Sequence, residues 1–435
     1  MQIIKSSSMK RIYFLHRMAM LLMIFVIGSC AQFHHEDNNV PVVLNPALYP
    51  READYVAYSP SQPRQVVLTW QNDPSTTMTI TWRTDVLEES HSLSFTDKYW
   101  QHVSQWTTTD AQSFTFAETK AWLHTVELTN LNPGQTYYVT INHPEFPDHF
   151  SFRTMPDENS RRDLVFLAGA DSRTQREVRR DMNELAAQLH PEFIIFDGDF
   201  IATALSEQEW DEWFDDWHEL LITPDGRRVP VIPSIGNHEV NGSFLQPRDQ
   251  APFYFNRFVV EEPKTRYILK LAPDLVLVTL DTDHILEITS QTDWLDSELA
   301  KHQDVIWKLV QYHVAAWPSV RGFDELVPVK IRKHWIPVLE KHDVDFVIEA
   351  HDHAYKKTVP IRNNSRDDEK GIIYLGDGGW GAPVRDVKNP DDYWWLEEAV
   401  KIDHFWKFIL SADGKTLKVE PVFRPAGKSI EKVKE

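Results

Sequence analysis

The chain has 435 residues, with 45 Lys plus Arg against 65 Asp plus Glu and a formal net charge of −20. At about 100 to 200 residues per domain this length excludes a single small module, and so negative a charge argues against an obligate nucleic-acid partner or a coat on anionic membranes. A hydrophobic share of 42% with 12% aromatics is that of a core-forming chain, and the lone cysteine, Cys30, excludes an intramolecular disulfide, a Cys-based zinc site and an iron–sulfur cluster.

Residues 1–29 carry Lys5, Lys10, Arg11 and Arg17, no acidic residue, and an apolar run at 18–27. That order is expected of a secretory signal peptide; the run falls short of the roughly 20 apolar residues that span a bilayer. Ile27-Gly28-Ser29-Cys30 resembles a bacterial lipobox, which implies lipidation at Cys30 and an exported, membrane-anchored protein of the cell envelope. The alternative is ordinary cleavage with an incidental Cys. Residues 30–63, punctuated by Pro41, Pro46, Pro50, Pro60 and Pro63, read as a tether, and residues 426–435 as a tail.

From 64 to 155 short alternating runs recur at 66–70, 78–82, 122–128, 137–141 and 150–153. Strands this short between turn residues predict an all-β antiparallel sandwich. The stretch 131–137, ending in Tyr137, resembles the tyrosine corner of fibronectin type III domains. No cluster of catalytic residue types occurs here.

Between 160 and 425 the pattern changes. Apolar, often β-branched runs at 164–170, 193–196, 229–235, 275–280, 307–312, 346–348 and 372–375 suit strands buried on both faces. Helical patterns at 175–189, 207–221, 292–302 and 329–342 lie between several of them. The expectation is an α/β layered domain, closed by a hairpin at 405–410 and 417–422.

Polar residues follow those runs: Asp171; Asp197-Gly198-Asp199; Gly236-Asn237-His238-Glu239; His313; and His351-Asp352-His353. Ligands gather at the carboxyl ends of strands in α/β sheets, and mixed oxygen and imidazole donors suit first-row metals. Each alone reads more readily as a helix cap, a turn residue or a core histidine. Five in order after five runs point to one site.

The order Asp, Gly-Asp, Gly-Asn-His-Glu, His, His-x-His resembles the calcineurin-like metallophosphoesterase family, and the preceding sandwich narrows this to its purple acid phosphatase-like branch. The resemblance implies β-sheets sandwiched by helices and two divalent or trivalent metal ions (Fe, Mn or Zn), bridged by an aspartate and a hydroxide. By motif, Asp199 is the bridge, Asp171 and His353 belong to the first metal, and Asn237, His313 and His351 to the second. His238 matches the family histidine that holds the phosphoryl group or protonates the leaving alkoxide, and Glu239 is placed to orient it or to make a surface salt bridge. Asp197 is expected to support or turn the chain, not to ligate.

Two positions depart from the pattern. Where purple acid phosphatases carry the tyrosine that colours Fe(III), this chain has Ala202, so a purple ferric enzyme is not expected. Where many relatives have Asp-x-His, it has Asp171-Ser172-Arg173; Arg173 is a candidate catalytic contact to phosphate or a structural ion pair. Arg321 either replaces a substrate-contacting histidine or faces solvent. Residues 391–395, Asp-Asp-Tyr-Trp-Trp, form either a lid near the metals or a patch packed on the sandwich. The resulting expectation is a phosphomonoesterase acting on phosphate esters, with a phosphodiesterase or nucleotidase, or a non-catalytic envelope-binding protein, as alternatives.

Overall fold

The computed structural model describes residues 59–425 except 89, 145, 147, 148 and 377; the leader, Cys30, most of the tether and the tail at 426–435 lie outside the described residues. The first domain is the expected sandwich. One sheet has the order β1 (Arg64–Thr69), β2 (Met78–Thr84), β6 (Trp122–Leu128), β5 (Gln112–Phe114); the other runs β4 (Thr107–Asp110), β3 (Ser92–Thr96), β7 (Thr136–Ile141), β8 (Phe150–Arg153). Trp70, Trp82, Leu93, Val126, Val139 and Phe152 fill the space between them. The Tyr137 hydroxyl accepts the Asn132 N–H at 2.8 Å, closing the tyrosine corner.

The second domain has two facing sheets. One contains β9 (Leu164–Gly169), β10 (Ile194–Phe196) and β11 (Val231–Pro233) in parallel, completed by the hairpin β21 (His404–Leu410) and β22 (Leu417–Phe423) against β9. The other has seven strands. Its parallel centre is β13 (Leu275–Thr279), β14 (Trp307–Val314), β15 (Phe346–Ala350) and β19 (Ile373–Gly376), edged by β12 (Tyr267–Ala272) on one side and β16 (Tyr355–Thr358) and β20 (Leu396–Val400) on the other. A two-residue pair, β17 (Ile361–Arg362) and β18 (Ser365–Arg366), lies apart.

The inner faces meet through Phe166, Phe193, Ile195, Leu277, Leu309 and Ile348, in one core shared with the sandwich. The outer face of the first sheet is covered by α1 (Arg176–Gln188), α2 (Glu207–Leu220) and α3 (Pro252–Arg257), with Trp210, Trp213, Phe214 and Trp217 facing inward. The outer face of the second is covered by α4 (Ile288–Lys301), α5 (Leu326–His334) and α6 (Ile336–Lys341). Burying both faces of each sheet explains why its strands read as continuous apolar runs.

Two helices differ from expectation. The pattern at 329–342 forms two helices hinged at Trp335: Pro337 has no N–H for the Lys333 carbonyl, so the ladder restarts. α4 begins at Ile288, four residues early, because the Asp283 carboxylate accepts the Ile288 N–H at 2.6 Å and serves as a non-adjacent cap.

Candidate metal centre

All five clusters lie at carboxyl ends of the parallel strands, three on the first sheet and two on the second. The backbone turns sharply there. Asp171, Asp199, His351 and His353 take the left-handed conformation, with φ of 56°, 54°, 75° and 56°, which non-glycine residues adopt at a cost and which clusters at functional sites. His313 instead lies within β14, where the register slips between Gln311 and Val314, a local irregularity of the sort that re-aims side chains beside sites.

Packing at two glycines leaves no room for a Cβ. At Gly198 (φ 86°) it would fall 2.7 Å from the Gly236 nitrogen and 2.9 Å from His313 Nδ1; at Gly378 (φ 85°) it would collide with the Asp171 carboxylate. The glycine-rich turn around 376–381 also clamps the first cluster. Gly379 N and Trp380 N donate to the Ala170 carbonyl, and Ala382 N donates to that of Asp171 at 2.7 Å.

Ligand atoms of Asp199, His313 and His351 converge within 4.8 Å of one another, as do those of Asp171, Asp199 and His353, so Asp199 is common to both groups. In the first group His313 donates Nδ1–H to the Asp197 carbonyl at 2.8 Å, which leaves a lone pair on Nε2. That lone pair lies 3.2 Å from Asn237 Oδ1, 3.2 Å from His351 Nδ1 and 3.3 Å from Asp199 Oδ1. Four acceptor atoms facing one point call for a cation. Burial opposes protonation of His313, but the Asp199 carboxylate outweighs it and raises the pKa to about 10. Burial, then His313, holds His351 well below the usual histidine range.

In the second group His353 Nδ1 bonds the Pro383 carbonyl at 3.2 Å, while Nε2 lies 3.1 Å from Asp171 Oδ1. Asp171 Oδ1 and Asp199 Oδ2 are buried with no hydrogen-bond partner among the described residues. Orphaned carboxylate oxygens beside imidazole lone pairs are the donor set of a dinuclear oxygen–nitrogen site, and the residues present fit two metal ions.

His238 stands at the mouth, its side chain 28% exposed. Its N–H donates to Asp199 Oδ1 at 3.0 Å, and Nδ1 bonds the Ala202 carbonyl at 2.7 Å, leaving Nε2 3.9 Å from Asp199 Oδ2. The expected orienting role of Glu239 is therefore corrected: the Ala202 carbonyl orients His238. Glu239 is fully buried and accepts N–H groups from Asp199 (2.8 Å), Phe200 (2.8 Å) and Gly236 (2.7 Å). It is neither a partner of His238 nor a surface salt bridge, but the pin that shapes the Asp199 turn. Burial, then the Asp199 carboxylate, raises its pKa to about 8 against those donors. Asp197 is fully buried, and burial raises its pKa well above the usual range; its carbonyl accepts the His313 Nδ1–H.

Arg173 approaches the cradle, Nη2 donating to His353 Nε2 at 3.3 Å and Nε standing 3.4 Å from Asp199 Oδ2 without hydrogen-bond alignment. Arg321 is partly buried instead of solvent-facing, its Nε 3.4 Å from the His351 carbonyl and 3.7 Å from Asp352 Oδ1. The aromatic segment packs on the loop after His313, not on the sandwich: Trp395 stacks on Phe323 at 4.6 Å, and Trp394 meets Trp317 at 5.5 Å. Arg385 passed unnoticed in the sequence, since nothing in its spacing ties a loop arginine to a motif; its N–H donates to the His353 carbonyl at 3.0 Å.

Residues 63–154 match the family model for the purple acid phosphatase N-terminal domain, and residues 171–355 match that of the calcineurin-like phosphoesterases. The chain thus combines a purple acid phosphatase N-terminal domain with a calcineurin-like phosphoesterase domain. An uncharacterised protein of Mycobacterium tuberculosis is 23% identical over 323 residues, 61% of this chain and 59% of that protein, so the chain spans less than two thirds of this relative's length. Purple acid phosphatase 21 of Arabidopsis thaliana is 24% identical over 313 residues, 69% of this chain and 68% of the plant protein. Among solved structures, purple acid phosphatase PPD1 from yellow lupin (Lupinus luteus) seeds superposes with a TM-score of 0.71 at 17% identity, covering 85% of this chain and 73% of that one. The structure of PhoD follows at 0.63 and 10% identity, covering 84% and 90%. Both likenesses establish the fold: a sandwich followed by the α/β phosphoesterase domain.

Proposed function

We propose that the chain is a metal-dependent phosphoester hydrolase that acts on phosphomonoesters at a dinuclear site. The observation that carries this reading is the convergence of acceptor atoms from Asn237, His313, His351 and Asp199, beside the orphaned oxygens of Asp171 and Asp199. When bound, two such cations supply Lewis acidity, a water of lowered pKa, and charge that holds both the attacking and leaving oxygens.

The chain's own residues do the rest. Asp199 reaches both groups with one carboxylate, His313 and His353 have their outer nitrogens tied to carbonyls so that the inner ones face the centre, and Glu239 fixes the turn that presents Asp199. His238, with Nδ1 held by Ala202, presents Nε2 to a phosphoryl oxygen or to the leaving oxygen, which it can protonate. The same reading places the chain in the bacterial envelope, anchored through Cys30; the leader and lipobox-like sequence support it.

The test compares release of the aryl alcohol from an aryl phosphomonoester and from its bis-aryl diester by the metal-loaded chain and by Asp199→Asn. Monoester hydrolysis lost in the variant is expected. Faster cleavage of the diester would reassign the activity to a phosphodiesterase, and no release from either ester would overturn the reading.

A further inference from the structure

Three arginines from three separate loops surround the His351–His353 turn. Arg173 follows β9 and donates to His353 Nε2 at 3.3 Å; Arg321 follows β14 and reaches the His351 carbonyl at 3.4 Å; Arg385 follows β19 and is tied by its backbone N–H to the His353 carbonyl at 3.0 Å. Arg321 is pinned in turn by Lys388, whose Nζ donates to the carbonyls of Arg321 and Pro318.

Their carboxylate partners are occupied. Asp352 spends its oxygens on the N–H groups of Val320 (2.7 Å) and Arg321 (3.3 Å), and its closest approach to the Arg321 guanidinium is 3.7 Å. Asp171 and Asp199 face the metal cradle. The Arg385 guanidinium has no hydrogen-bond acceptor among the described residues. If His353 Nε2 held a cation, the Arg173 guanidinium would lose its hydrogen bond to that atom and could turn to another acceptor. Gathering like charges beside a cation site is unfavourable unless an anion sits among them. In a chain of net charge −20, three guanidinium groups around one turn give an anionic substrate a local source of attraction.

We propose that Arg321 and Arg385, with Arg173, form a subsite for a second phosphoryl group, so that the substrate is an organic phosphate carrying two phosphoryl groups, one in the metal cradle and one among the arginines. A phosphoryl group suits the arrangement better than a carboxylate because it offers three oxygens to several guanidinium forks. This inference rests on the phosphoester reading and deepens it.

The test is calorimetric titration of the metal-loaded full chain with propylphosphonate and with propane-1,3-diyl bisphosphonate, metal content being checked after each run. Arg321→Ala, Arg385→Ala and the charge-conserving Arg385→Lys are titrated beside the parent, with thermal melts to establish folding. The parent is expected to bind the bisphosphonate at least about tenfold tighter, a difference that charge-assisted hydrogen bonds readily supply. That ratio should fall toward one in each Ala variant and be partly kept in Arg385→Lys. A parent ratio within about twofold, or a ratio unchanged in both Ala variants, overturns the subsite. Phosphate release from propane-1,3-diyl bisphosphate is followed in parallel: turnover without a bisphosphonate preference defeats the subsite alone, whereas a preference without turnover defeats the phosphoester reading alone.

Discussion

At the scale of single residues, Ala202 acts through its backbone: its carbonyl fixes His238 at 2.7 Å, and its methyl group offers no metal ligand. The neighbouring Phe200 turns into the aromatic cluster with Phe196 at 4.6 Å and Trp213 at 5.0 Å. The chain loaded with ferric iron should therefore lack the visible tyrosinate absorption; a band in that region would contradict the assignment of position 202. His238→Ala should lower kcat for an aryl phosphate by about 100-fold or more while leaving metal content intact, which separates its role from that of the ligands. The positions that converge could be read from the sequence because each follows an apolar run, so polar clusters and strand ends coincide. The role of Glu239 could not, since its partners are backbone N–H groups of Asp199, Phe200 and Gly236 that no side-chain pattern records. Glu239→Ala leaves those three buried donors unpaired and should cost about 3 kcal/mol or more, measurable by denaturant unfolding; a loss under about 1 kcal/mol would show that the pin is dispensable.

Elements explain which boundaries were visible. α1 and α2 have amphipathic patterns, and α2 is opened by Ser206, which accepts the Glu209 N–H at 3.3 Å, so their ends stand out in the sequence. The break between α5 and α6 and the early start of α4 depend on Pro337 and on a carboxylate five residues upstream, which periodicity does not register. The glycine-rich turn is the element that holds Asp171, and with it the group of Asp171, Asp199 and His353. Gly378→Ala should push the Asp171 carboxylate out of place, halving the metal bound per chain without unfolding the sandwich; full occupancy in this variant would show that the turn is not a constraint. In the sandwich, His124 stacks on His91 with ring centroids 3.7 Å apart and bonds Thr84 and Ser113. Burial, then His91, lowers its pKa to about 3. The unfolded chain binds a proton at this site below about pH 6.5 that the folded chain refuses until about pH 3, so its contribution is complete above 6.5 and lost as pH falls through that window. Tm should drop from pH 7.5 to 5.0, and drop less in His124→Gln; equal drops would remove His124 as the cause.

Across the whole molecule, function depends on bringing two sheets together. Asp171, Asp199 and Asn237 come from one, His313, His351 and His353 from the other, and the shared core of Phe166, Phe193, Leu309 and Ile348 holds the two halves in register. The sandwich is bound to the same body: Gln65 Nε2 donates to Asp215 at 2.8 Å, Val66 N donates to His218 Nδ1 at 3.1 Å, and Arg83 pairs with Asp211. Sequence pattern gave both domains and their order, because alternation in the first and continuous apolar runs in the second differ so plainly. It left open how Arg173, Arg321 and Arg385 meet, since only the fold brings loops more than 200 residues apart to one turn. If Cys30 carries the anchor, Cys30→Ala should release the protein from the membrane fraction, and unchanged retention would count against it. The central claim, metal-dependent phosphoester hydrolysis at the Asp199 centre, is tested most directly by titrating metal back into the chelated chain while following phosphate release from an aryl phosphate. Activity should be absent after chelation and rise to a plateau at two metal ions per chain; hydrolysis that survives chelation, or none at any metal equivalence, would contradict it.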